Sequence, residues 1–261
     1  VMRILRIFFL HTREVFEERS RLLVWFLIGL ISPLILILFW RGANNLGGWT
    51  IEEITSYYFL VITVRVFVMS HHEERVALID IKEGGLTAYL LKPFSYFWIR
   101  FFGEFSYRFV QGLFGFLLLF IIVKLLPSYF IFANSVVVIL LSMIILFLAL
   151  FLTFTFKTIV GILAFWMTDA RGSFEVVEVL LTLFAGYLMP LAFFPPLIQK
   201  FVFFTPFPYM IYLPVIAIEG KLSVLQLIQM AGGQIIWIGI FYFLYHKLWL
   251  AGVKKYTAVG Q

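Results

Sequence analysis

Long apolar runs alternate with short polar interruptions along this chain, and the runs are too long and too uniform for the core of a water-soluble domain. A helix needs roughly 20 residues to cross a hydrocarbon core. On that measure six spans are predicted, over 22–40, 54–69, 97–126, 135–167, 176–194 and 225–250. The fourth is the ambiguous one: Tyr129 to Met167 is apolar almost without a break, which fits one over-long helix or two short ones hinged near Lys157.

The interruption from Ser70 to Tyr96 reads SHHEERVALIDIKEGGLTAYLLKPFSY. Within it a short helix is predicted over 83–92: Gly84 and Gly85 start it, Leu86, Tyr89 and Leu90 recur at helical spacing, and Pro93 stops it. So short a helix is not stable alone. It fits a lever pressed into another protein's groove.

Two other regions break the pattern. Over 2–20, Ile4, Phe8 and Val15 share a helical face, with Leu5, Phe9 and Phe16 beside them, opposite Arg6, Arg13, Glu14 and Glu17. Such a helix should lie in the membrane interface, and its glutamates suit contact with a basic partner surface. Between Gly186 and Tyr212, prolines at 190, 195, 196, 206 and 208 should fragment any helix. Phe193, Phe194, Leu197, Ile198 and Phe201 are too apolar for open water, so 191–212 is predicted to form a re-entrant outer hairpin whose backbone is covered by protein.

Composition agrees with the pattern. Apolar residues are 63% of the chain and charged residues 13%, against about half and a quarter in soluble domains. The class is an all-α integral membrane protein with no length left for a separate catalytic domain. Cysteine is absent, which removes disulfides, thiolate nucleophiles and thiolate metal sites. With six spans and an inner N-terminus, thirteen basic residues fall on inner segments and only Arg41, Lys124, Lys200 and Lys221 on outer ones. The positive-inside rule therefore puts both termini and the 70–96 loop in the cytoplasm.

Candidate chemistry is sparse. A phosphate-cradling loop needs Gly-Lys followed by Ser or Thr, and Gly220-Lys221 is followed by Leu222. The AGGQ run at 231–234 lies inside a span, where its glycines suit close helix packing. His71, His72, Glu73 and Glu74 lack the His-Glu-x-x-His spacing of a zinc site and are expected to form a solvated helix end. No metal site, no catalytic residue and no nucleic-acid partner is expected. Embedded charges carry more meaning, because ionisable groups in lipid are costly. Glu104 and Arg108 suit an intrahelical pair, and Arg65, Glu175 and Glu178 lie at similar expected depth. They form either a polar cluster at the inner mouth of a passage or separate pairs at helix ends.

Three motifs, DIKEGGLTAYLLKP (80–93), GYLMPLAFFPPLIQ with PFPYMIYLP (186–214) and the tail GVKKYTAVG (252–260), together with the helix pattern, resemble the ABC-2 type permeases, membrane subunits of ATP-binding-cassette transporters. The resemblance implies a coupling helix around Gly84, Gly85, Leu86, Tyr89, Leu90 and Lys92 seated in a separate ATPase. It implies an interfacial helix, carrying Arg6, Phe9, Arg13 and Phe16, that also touches that subunit. ATP and magnesium would be bound by the ATPase, leaving this chain without cofactor or catalysis. A second permease, identical or paralogous, would complete the passage, with spans two and five lining it through Tyr57, Tyr58, Phe59, Phe184 and Tyr187. Such walls suit export of an amphiphilic or hydrophobic substrate from a bacterial or archaeal cytoplasmic membrane. The alternative is a channel or scaffold that needs no ATPase.

Overall fold

The described residues form helices and no strand. In this computed structural model they are residues 48–256 and, before them, Val24, Ile31 and residues 34–42. The helix expected over 2–20, with Arg6, Phe9, Arg13 and Phe16, lies outside them, as do most of the first expected span and the tail beyond Tyr256.

Helix α1 (Ile51–Val68) starts in a capping box: Thr50 Oγ1 accepts from the Glu53 amide and the Glu53 carboxylate accepts from the Thr50 amide. Two acidic residues in its first turn and Arg65 in its last match the helix dipole. A short turn, α2 (His72–Glu74), runs into a π-helix over Arg75–Lys82. Then follow α3 (Thr87–Leu90), α4 (Tyr96–Leu125), α5 (Val136–Ile162), α6 (Arg171–Phe184), α7 (Pro196–Phe203), α8 (Tyr212–Ile218) and α9 (Val224–Val253).

Among the described residues, four segments are long and apolar enough to cross a membrane: Ile51–Lys82, Tyr96–Leu125, Val136–Phe165 and Val224–Val253. The first is central, 72% buried against 22% for Tyr96–Leu125 and for Val224–Val253, so α4 and α9 turn most of their surface outward. Close approach is built from small residues. Gly112 of α4 lies against the Phe67 ring, and Gly161 of α5 against Val76 and the Glu73 carbonyl, where a side chain has no room.

The ambiguous fourth run is a single helix through Lys157, closed by a 3₁₀ turn at Leu163–Phe165. Thr155 and Thr158 return their hydroxyls to the carbonyls one turn back, so their polar groups stay inside the helix. By contrast, the run expected to cross over 176–194 is helical only to Phe184. Its 14 residues span about 21 Å, short of a bilayer core of about 30 Å. Gly186, at φ +85°, turns the chain out of the helix.

After it the prolines fragment the backbone as the pattern predicts, into a 3₁₀ turn at Leu191–Phe193, α7, a second turn at Phe207–Tyr209, and α8. The Gln199 side-chain amide donates to the carbonyls of Ala192 and Phe194 at 3.0 and 2.7 Å, satisfying acceptors between the fragments. Helix α7 buries Val202 and exposes Leu197 and Phe201, and Phe204, just past its end, is exposed as well.

Candidate functional site

The loop between the π-helix and α4 is mounted on three sides. Gly84 sits at φ +85°, and a Cβ on Gly85 would come within 2.9 Å of the Ile79 carbonyl, so both glycines are required by backbone shape. The Leu86 amide donates to the Asp80 carbonyl at 2.7 Å. The Asp80 carboxylate, itself buried, accepts from Tyr96 Oη at 2.5 Å and pairs with Arg100 at the start of α4. Tyr96 in turn stacks on Trp249 of α9, with centroids 4.6 Å apart and planes 14° apart. The third mount is the segment just after α9: Tyr256 Oη donates to the Gly84 carbonyl at 2.8 Å and lies 3.1 Å from Thr87 Oγ1.

The helical part of this loop is shorter than the 83–92 expected, because Gly84 and Gly85 belong to the turn and only Thr87–Leu90 is helical. Leu86, expected to face a partner, is fully buried in the chain's own core. Its apolar side chain is the peg that seats the loop. Tyr89 is partly buried between the Tyr96 ring and the cations of Lys92 and Arg100, which lie 4.9 and 4.6 Å from its centroid. Leu90 is 43% and Leu91 82% exposed, so these two form the apolar tip.

The five embedded charges fall into two pairs and a remainder. Arg65 of α1 pairs with Glu178 of α6 at 2.6 Å, and the Tyr187 ring covers its guanidinium at 4.1 Å. Glu104 and Arg108 form the intrahelical pair at 2.7 Å, and Arg108 also donates to Gln111 at 2.6 Å and reaches the Val66 carbonyl of α1 at 3.4 Å. Glu175 makes no ion pair among the described residues, and it lies beside a cavity together with Glu178.

The His71–Glu74 run differs from the solvated helix end expected of it. His71 and Glu74 are exposed, but His72 and Glu73 are buried. Glu73 Oε1 receives Lys157 Nζ at 2.7 Å, and the same ammonium donates to the Ser70 carbonyl at 2.5 Å. No group of three or more acidic or histidine side chains converges as a metal site among the described residues. Lys157, near which the sequence allows a hinge, is a lone cation in a helix otherwise free of charge, and its partner lies 84 positions away, where local spacing cannot point.

Tyr57 and Tyr58, expected as passage walls, are fully buried instead. Tyr57 Oη donates to the Gly186 carbonyl at 2.5 Å, while Tyr58 Oη donates to the Leu188 carbonyl and accepts from Trp40 Nε1, both at 2.8 Å. They fasten α1 to the turn after α6, since a buried phenol keeps a partner. Phe59, Phe184 and Tyr187 are partly buried, Phe59 against Phe130 and Phe184 against Phe207. Near the α1 N-terminus, Lys221 lies 3.2 Å above the Trp49 ring centroid, 3.5 Å from Glu53 and 3.2 Å from Glu219. Burial pushes the Glu219 carboxyl up to about 7 even though Lys221 opposes the shift.

Long apolar helices joined by embedded ion pairs, with hydrophobic side chains facing outward on α4 and α9, make this a multi-pass membrane protein of helical-bundle type. The sequence pattern of the ABC-2 family transporter proteins matches residues 26–260. The chain belongs to that family. A search of curated proteins finds no match to it.

Proposed function

We propose that this chain is the permease subunit of an ABC exporter and that it carries no catalytic residue of its own. Six crossings, with both termini in the cytoplasm of a bacterial or archaeal cell, would come from the four long segments, the first apolar stretch and the segment around α6. Separate ATPase subunits would bind ATP and magnesium, and a second permease, identical or paralogous, would complete the passage for an amphiphilic or hydrophobic substrate. The exposed apolar surface of α7 and the residue that caps it supports a lipid-embedded outer hairpin over 191–212, because Leu197 and Phe204, each more than 80% exposed, are poorly suited to water.

The observation that carries the reading is the mounted loop. Its backbone is held by Asp80, Leu86 and Tyr256, and its tip exposes Leu91 and part of Leu90. A rigid mount with an apolar tip transmits a push; a loop meant only for water needs neither. On closure of the nucleotide-bound ATPase pair, the tip would drive the joint of the π-helix, α4 and α9 through the Asp80–Tyr96–Trp249 contacts.

The test is to purify the chain with its candidate ATPase and substitute Leu90→Asp. Loss of complex formation, or of ATPase stimulation by the permease, is expected. Unchanged assembly and unchanged stimulation would overturn the reading in favour of a channel or scaffold.

A further inference from the structure

Helix α6 is held unevenly along its length. It buries a narrow stripe, Phe174, Val177 and Leu181, while Val176 and Val179 on the other side are 60% and 57% exposed. Over its first two turns it borders open space: a cavity of about 320 Å³ lies between Phe174 and Glu178 on one side and Glu74 and Leu78 of the α2–π segment on the other. A helix beside a void loses the dispersion contacts that would fix it in place. Among the described residues, the body of α6 is joined to α1 by one polar contact, the Arg65–Glu178 pair at 2.6 Å.

The end of the helix is fastened differently. Gly186 turns the chain at φ +85°, and a Cβ there would come within 2.7 Å of Tyr57 Oη and 2.9 Å of Tyr212 Cβ. Its carbonyl accepts from Tyr57 Oη at 2.5 Å, and Phe184 packs against Phe207. The joint is thus fixed to α1, whereas the helix before it depends on the ion pair. That pair also differs from Lys157–Glu73. The Arg65 and Glu178 side chains are 34% and 40% exposed, against 1% and 3% for Lys157 and Glu73. Separating a sealed pair strands a charge, which makes it a permanent rivet; a partly exposed pair separates at little cost. The Tyr187 ring, one residue beyond the joint, covers the Arg65 guanidinium at 4.1 Å and keeps it in place.

We propose that α6 is a movable arm, hinged at Gly186 and latched to α1 by Arg65–Glu178, and that release of the latch parts the two helices. The cavity gives the arm room to move. Gly186 gives it a pivot, at the kind of element-terminal position that absorbs a hinge rotation. At the other end, residues 166–170 form no helix, so the arm is not continuous with α5. Tyr187 stays with Arg65 on the fixed side of the hinge, and the guanidinium is therefore in position when the arm returns. The latch rests on the permease reading for its meaning in transport, since α1 and α6 belong to the two spans that would line the passage.

The chain contains no cysteine, so a single reporter thiol can be introduced. Leu181→Cys places it on the buried stripe, at a position 3% exposed, where it reacts with N-ethylmaleimide only as often as the arm opens. In the full chain in phosphatidylcholine nanodiscs, Arg65→Gln and Glu178→Gln should each quicken labelling about two- to fivefold, the scale of one partly exposed ion pair. The lost charge itself biases thiol reactivity in opposite directions in the two variants, so acceleration in both reports opening. Combining them should be no faster than either alone, because a latch is lost only once. A second reporter, Ala149→Cys in the core of α5, should stay protected throughout. Unchanged labelling in both variants, multiplied rates in the double variant, or Ala149→Cys labelling that rises in step would overturn the latch. The complex assembled with the candidate ATPase separates this from the permease reading. A latch that behaves as expected but ignores ATP in the complex would stand, and the transporter would fall. Labelling that follows ATP yet ignores both glutamine variants would do the reverse.

Discussion

Lys157 and Glu73 are each almost fully buried and depend on one another. Breaking one partner of such a pair strands a charge and costs about 3–5 kcal/mol, whereas replacing both with apolar groups is often neutral. Lys157→Met should therefore lower the unfolding temperature in detergent sharply, and Lys157→Met with Glu73→Leu should recover most of the loss; an additive double variant would show that the two do not act as a pair. Glu219 gives a different signature. Its carboxyl is raised from 4.5 to about 7 by burial, so the folded chain holds a proton that the unfolded chain releases earlier. Stability is thus lost as pH rises from the ordinary carboxylate range through about 7, by on the order of 3 kcal/mol. Thermal unfolding should shift downward between about pH 5 and about pH 8, and Glu219→Gln should flatten that dependence. A slope unchanged in the variant would assign it to another group.

Among the elements, the loop before α4 ties distant parts of the sequence together. Its π-helix ends at Lys82, Gly84 reverses the chain, and Tyr256, 172 positions later, receives the turn. Tyr256→Phe keeps the ring against Phe165 and removes only the hydroxyl, a loss of about 1 kcal/mol for the hydrogen bond. Amide exchange should quicken over Gly84 to Leu90 while the rest of α9 stays protected; unchanged exchange there would mean that the tail does not hold the loop. The sequence pattern could not show this arrangement. Glycines, a proline stop and the apolar spacing located the loop, but local spacing assigned Leu86 to a partner when it packs inward, because burial depends on neighbours far along the chain.

For the whole molecule, hydropathy was the legible part. Length and apolarity located α4, α5 and α9 to within a few residues, because a bilayer dictates both quantities at once. The segment around α6 was less legible, since an apolar run continues past Gly186 although the backbone leaves the helix there. Of the candidate site, the Glu104–Arg108 pair could be read from i,i+4 spacing, whereas Arg65–Glu178 and Lys157–Glu73 join residues 113 and 84 positions apart. Tyr57 and Tyr58 were misread for a related reason, as an aromatic residue on a span looks alike whether it lines a passage or fastens a turn. The Lys157–Glu73 pair also bears on how the protein is made. A lysine in an inserting helix costs about 2.5–3.5 kcal/mol at the centre and less toward the end, where Lys157 lies in α5, and Glu73 leaves the ribosome 84 residues ahead of it. The order of synthesis delivers the counter-ion first, which spares α5 a period as a lone cation in lipid.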